Sequence, residues 1–175
     1  MKNGTHKYND RVEICIPMQP ITKKNSQEIR YRTIVKNEKY KKVPYIVPSQ
    51  QFTQYQKDAS FFLKSLHIDY PMNIEAHYYM KTQGVVDLSN LHEAIHDIMV
   101  KTGVIVDDEA YFIVSTDGSR VHYDKDNPRT ELIITPAEPT FPMRKGLKEK
   151  FQKNNNVKQR SMKLSKLRRN KIKRE

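Results

Sequence analysis

Asp87-Leu88-Ser89-Asn90-Leu91-His92-Glu93-Ala94-Ile95-His96-Asp97, followed after a short apolar stretch by Gly103-Val104-Ile105-Val106-Asp107-Asp108-Glu109, is where this basic chain concentrates its acids. Leu91, Ala94, Ile95 and Ile98 recur at helical spacing, which predicts a helix over 90–102. Asn90 and Glu93 read as its capping box, and Gly103 stands where a left-handed residue ends such a helix. Upstream, Met72, Ile74, Ala76 and Tyr78 alternate as in a strand over 71–80 that leads directly to Asp87. Further out, Val12, Ile14 and Ile16 mark a strand over 11–17. Ser49 caps a helix carrying Phe52, Tyr55, Ala59, Phe62, Leu63 and Leu66. A polar loop over 21–26 and an extended, Tyr- and Val-rich region over 30–47 separate these two elements. Beyond the acids, 111–115 and 130–135 read as strands, with turns at Asp117-Gly118 and Asp126-Asn127-Pro128. The order strand, helix, strand, helix, strand, strand indicates the α+β class: one small domain with a mixed sheet and two main helices.

At 175 residues the chain fits a single domain, and with 37% hydrophobic residues and no Trp its core must be modest. No segment approaches the roughly 20 apolar residues of a membrane span, and the first residues open no apolar signal region, so a soluble, cytoplasmic protein is expected. The single Cys15 lies in an apolar run and reads as a buried structural thiol; one cysteine forms neither an internal disulfide nor a cysteine zinc cluster.

Charge divides the chain. From Arg144 to Glu175 there are 14 Lys and Arg against Glu149 and Glu175, a net +12 that accounts for the charge of the whole chain. The preceding 143 residues are therefore neutral. Pro136, Pro139 and Pro142 fall at the change, so residues 1–140 are expected to form the folded domain and 141–175 a basic, flexible tail. Lys163, Lys166, Arg168, Arg169, Lys171, Lys173 and Arg174 give that tail the electrostatics of a nucleic-acid-binding segment. Its bland alternative is a solvated tail with no specific partner.

The helix over 90–102 admits two chemistries. His92-Glu93-Ala94-Ile95-His96 is a literal HExxH, in which two His one turn apart ligate zinc and Glu93 activates water. That reading needs a third ligand and lacks any downstream signature; the alternative is a surface pair of histidines on an amphipathic helix. The second chemistry uses the carboxylates. Glu93 and Asp97 share a helix face, Asp87 sits where strand passes to helix, and Asp107-Asp108 follow the helix after a segment able to return to the same end of the sheet. Clustered carboxylates repel unless a cation joins them, and hard oxygen ligands suit Mg²⁺ or Mn²⁺, ions that assist phosphodiester hydrolysis. Structural roles also exist for each acid: helix capping, an Asp97–Lys101 pair, a polar loop.

Asp87-Leu88-Ser89-Asn90-Leu91, the helix with Asp97-Ile98-Met99, and Gly103-Val104-Ile105-Val106-Asp107-Asp108 resemble the core signature of RusA-like Holliday junction resolvases, approximately D-x-D-N-x-x-K, helix, D-x-(L/M), then D-D. Ile16-Pro17-Met18-Gln19-Pro20-Ile21-Thr22-Lys23-Lys24-Asn25 is similar to the family's Pro-rich first strand and loop. Ser115-Thr116-Asp117-Gly118-Ser119-Arg120 and 128–134 are similar to the strand region of its phage-borne members. The resemblance spans about residues 11–136. It implies a homodimeric, Mg²⁺-dependent endodeoxyribonuclease that cuts branched DNA, ideally by paired nicks across a near two-fold symmetric four-way junction. Asp87 and Asp108 then correspond to essential metal-site aspartates, with Asp107 beside the second. Two positions depart from the signature: its second aspartate is Ser89, and its lysine is Glu93. Glu93 is thereby a candidate metal ligand, and Lys23 or Lys24 a candidate replacement for the missing cation and a DNA contact. A non-catalytic nucleic-acid-binding protein is the competing class, and a zinc peptidase the third.

Overall fold

The computed structural model describes residues 1–8, 10–23, 27–36, 39–146 and 149; the predicted DNA-binding positions Lys24, Lys163, Lys166, Arg168, Arg169, Lys171, Lys173 and Arg174 lie outside them. The chain divides into two compact units, residues 1–139 and 140–175.

The alternation of apolar residues decides how the first unit is built. Strands β1 (Gly4–Tyr8), β2 (Arg11–Ile16), β5 (Met72–Met80), β6 (Ile113–Ser115), β7 (Arg120–Tyr123) and β8 (Arg129–Pro136) make one sheet in the order β1-β2-β8-β5, with β6 and β7 both along the far side of β5. Pairing is antiparallel from β1 to β5 and parallel from β5 to β6 and β7, so the sheet is mixed. Register aligns the buried residues in rows across it: Val12, Ile134 and Ile74; Ile14, Leu132 and Ala76; Ile16, Thr130 and Tyr78. Each row sits on one face because side chains two apart point the same way.

Helices α1 (Gln50–Ser60) and α2 (Leu88–Thr102) supply that face with Phe52, Tyr55 and Ala59, and with Leu91, Ala94, Ile95, Ile98 and Met99. The α+β class with a mixed sheet and two helices is thus the observed fold. Cys15 is buried, as expected, and burial raises its thiol pKa, assisted by the charge of Glu131. No described helix is long and apolar enough to cross a membrane.

Several elements differ from the sequence expectation. Helix α1 stops at Ser60 although Leu63 is still buried, because Phe62 N and Leu63 N already bond the carbonyls of Ala59 and Ser60 in tighter turns. The extended region is a two-stranded ribbon, β3 (Gln27–Lys36) with β4 (Lys39–Pro48), separate from the main sheet. Strands β1 and β7 carry no strong apolar alternation that would announce them; each is held by its ladder to a better-patterned neighbour.

Gly103 ends α2 as anticipated, at φ 74°, its N–H bonding the carbonyls of Met99 and Val100. Its own carbonyl accepts from Leu66 N and His67 N, so the turn also joins the 66–68 segment to the chain leading into Asp107. An added Cβ would lie 2.8 Å from Ser65 Oγ and 3.2 Å from His67 Cε1. Gly103→Ala is expected to lower the unfolding free energy by about 1–2 kcal/mol, from the left-handed backbone alone; chemical denaturation measures it.

Candidate metal and phosphodiester site

Asp87 is the N-cap of α2. Its Oδ1 accepts from Ser89 N at 2.9 Å and from Ser89 Oγ at 2.7 Å. The helix therefore starts two residues before the capping box read from Asn90 and Glu93, since the earlier carboxylate reaches the free amides first. Ser89, which stands where the resolvase signature has an aspartate, spends its hydroxyl on Asp87. Exposed Asp87 also borders an open groove of about 540 Å³, with Ser89, His92, Asp117, Gly118 and Arg120 among its walls.

The other acids meet elsewhere. Lys23, from the polar loop after β2, pairs with Asp97 at 2.5 Å. That hydrogen bond, and then the charges of Asp97, Glu93 and Asp108, hold the lysine pKa above its ordinary value against the opposing effect of desolvation. Three carboxylates from two chain segments thus act on one ammonium. The alternative of an Asp97–Lys101 pair is not what forms: Lys101 Nζ donates to Gln56 Oε1 and links the two helices.

Asp107 turns its Oδ1 inward to accept from Glu109 N at 3.1 Å, which shapes the turn and leaves Asp108 exposed beside it. Of the four predicted site acids, then, Glu93 and Asp108 share the field of Lys23 and Asp107 builds their loop. Asp87 faces the groove, which among the described residues neither Glu93 nor Asp108 lines. Among the described residues no three acid, imidazole or thiol groups form a common metal-holding set.

The HExxH histidines are not a surface pair. On the flank of α2 that faces the sheet, His92 Nδ1 lies 3.1 Å from the Tyr78 hydroxyl and its ring is 5.5 Å from that of His96. Both Nε2 atoms are buried without a hydrogen-bond partner. Burial lowers the pKa of His92, and brings that of His96 down to about 4 with help from His92 and against Asp97. Both rings are therefore neutral at pH 7.

Sequence reasoning missed the Asp97–Lys23 partnership and the groove's Asp117 and Arg120. The first had no local signal, because the partners are 74 residues apart. The second was signalled as a site by neither the Asp117-Gly118 turn nor the likeness of 115–120 to a strand region; the turn's glycine, at φ 89°, leaves no room for a Cβ against Glu75. No family model matches the chain, and no curated protein matches it significantly.

Proposed function

We propose that the protein is a metal-dependent endodeoxyribonuclease of the RusA-like type, acting as a homodimer on branched DNA such as four-way junctions. The observation that carries this reading is the Lys23–Asp97 ion pair at 2.5 Å, with Glu93 and Asp108 near enough for their charges to help raise the Lys23 pKa. The residue types suit a hard divalent cation, since carboxylate oxygens are the ligands Mg²⁺ and Mn²⁺ prefer, although among the described residues they are not drawn together into a three-ligand set. Asp108 and Glu93 would hold the ion, with Asp107 fixing the loop; Asp87, the N-cap of α2, faces the neighbouring groove instead. The ion supplies activation of water and neutralisation of charge on the phosphate oxygens.

The protein's own groups complete the chemistry. Lys23 is placed to stabilise charge on the scissile phosphate, the task the signature's lysine loses when position 93 becomes Glu. Asp97 holds Lys23 in position and so acts through it. Neutral His92, tied to Tyr78, keeps the adjoining flank of the helix uncharged. The basic tail adds affinity with little sequence preference.

Incubating labelled four-way junction and linear duplex with the full-length protein, in Mg²⁺ and in EDTA, tests the proposal. Incision of the junction in Mg²⁺ only is expected. Binding without incision in either Mg²⁺ or Mn²⁺ would leave a nucleic-acid-binding protein instead.

A further inference from the structure

The β3–β4 ribbon has two unlike faces. Residues directly opposite in an antiparallel pair share a face, so the register sorts the side chains. Ile29 opposes Ile46, Tyr31 opposes Pro44, Thr33 opposes Lys42 and Val35 opposes Tyr40 on one side. On the other, Arg30 opposes Tyr45, Arg32 opposes Val43 and Lys41 opposes Ile34, with Lys39 following in the same alternation. Arg30, Arg32, Lys39 and Lys41 are all exposed, and the Arg32 guanidinium lies 5.9 Å from the centre of the Tyr45 ring. Glu28 is the acid of this face among the described residues. It is engaged at the base of the ribbon, where it bonds Arg30 at 3.4 Å and accepts from Gln50 N at 3.1 Å, tying the ribbon to the start of α1.

We infer that the cationic face of this ribbon is an arm that grips the phosphates of duplex DNA. Four exposed cations on one face, countered there among the described residues by Glu28 alone, are a local concentration of positive charge in a part of the chain with no net charge, and such a surface attracts a polyanion. Ten residues per strand at about 3.3 Å each give a length of about 33 Å. That is close to the roughly 34 Å of one duplex turn, and a two-stranded ribbon is narrow enough for the major groove. The choice of DNA among polyanions rests on the proposed nuclease function; the binding surface rests on the ribbon itself. The opposite face carries Ile29, Tyr31, Val35, Tyr40 and Ile46, each between 65% and 82% exposed, and one cation, Lys42; a second copy of the chain is the rival occupant of the ribbon.

The test is the salt dependence of binding, by fluorescence anisotropy, of full-length protein to a labelled duplex and a four-way junction in EDTA. Arg30→Ala/Arg32→Ala/Lys41→Ala is expected to reduce the slope of log affinity against log salt by about 2–3, at roughly 0.9 for each phosphate no longer neutralised. Its circular dichroism and melting temperature should match the wild type; the corresponding triple Gln variant, which keeps more of each side chain, replaces it if they do not. Ile29→Ser/Ile46→Ser should retain the wild-type slope. An unchanged slope in the cationic variant overturns the inference. So does a wild-type slope there combined with lost binding and a dimer-to-monomer change, by light scattering, in the Ile29/Ile46 variant. EDTA prevents incision, so failure of the wild type to cut in Mg²⁺ would count against the nuclease function and leave the slope result standing.

Discussion

Asp108→Asn is expected to lower Mg²⁺-dependent incision by roughly 10²–10³-fold, the size of effect when one charge-stabilising group is removed from a transition state. Affinity for the junction in EDTA should stay within about twofold, because the substitution keeps the shape of an exposed side chain and removes one negative charge from the surface proposed to approach phosphate. Asp108 is a cleaner probe than its neighbours. Asp107 has a structural duty, since its Oδ1 accepts from Glu109 N. An Asn there can still accept that bond, so the loss should be smaller. Asp87 caps α2, and removing it costs about 1 kcal/mol of stability in addition to any chemistry. Single-turnover rates with melting temperatures for the same proteins separate the two contributions.

Acid should destabilise the fold through His96. Its pKa is lowered from 6.5 to about 4 in the folded protein, so between those values the unfolded chain binds a proton that the folded chain refuses. Stability from this group is complete above about pH 6.5 and declines as pH falls. By pH 4 the loss reaches about 3 kcal/mol, at about 1.4 kcal/mol for each pH unit of difference. His92, lowered by burial, changes stability in the same direction. Asp124 and Glu131 also have lowered values, Asp124 chiefly through the Asn127 amide and the Arg129 hydrogen bond, and Glu131 through Arg129 against its own desolvation. As carboxylates they lose their contribution at lower pH than the histidines do. His96→Leu should flatten the curve between pH 6.5 and 4 while leaving the more acidic limb in place; urea titrations across that range measure both. A parallel decline in wild type and variant would contradict the buried, neutral imidazole.

What is legible in the sequence follows from how local each signal is. Strands β2, β5 and β8 announce themselves because alternate residues bury into one face, and α1 and α2 because their apolar stripes recur at helical spacing. Gly103 and Ser49 are readable because capping is settled within four residues. The start of α2 is ambiguous in the sequence because Asp87 and Asn90 are both good caps, and only the path out of β5 decides between them. The two faces of the β3–β4 ribbon are hidden, since their meaning depends on register across the hairpin. The candidate site is half visible. Its acids stand together in the chain, but the cation they meet arrives from Lys23 and reaches Asp97 across 74 residues. The histidines mislead in the opposite direction: a five-residue motif suggests ligands or a surface pair, whereas His92 packs against Tyr78, His96 against His92, and both Nε2 atoms are buried at the edge of the core.

Whether the acids around Lys23 form a metal-dependent phosphodiester-cleaving site is tested most directly by a divalent-ion titration of incision on a strand-labelled four-way junction. Cutting should be absent in EDTA, rise to saturation with Mg²⁺, leave 5′-phosphate ends on opposed strands, and collapse in Asp108→Asn. No incision at any Mg²⁺ or Mn²⁺ concentration, or incision that Asp108→Asn leaves unchanged, would contradict it.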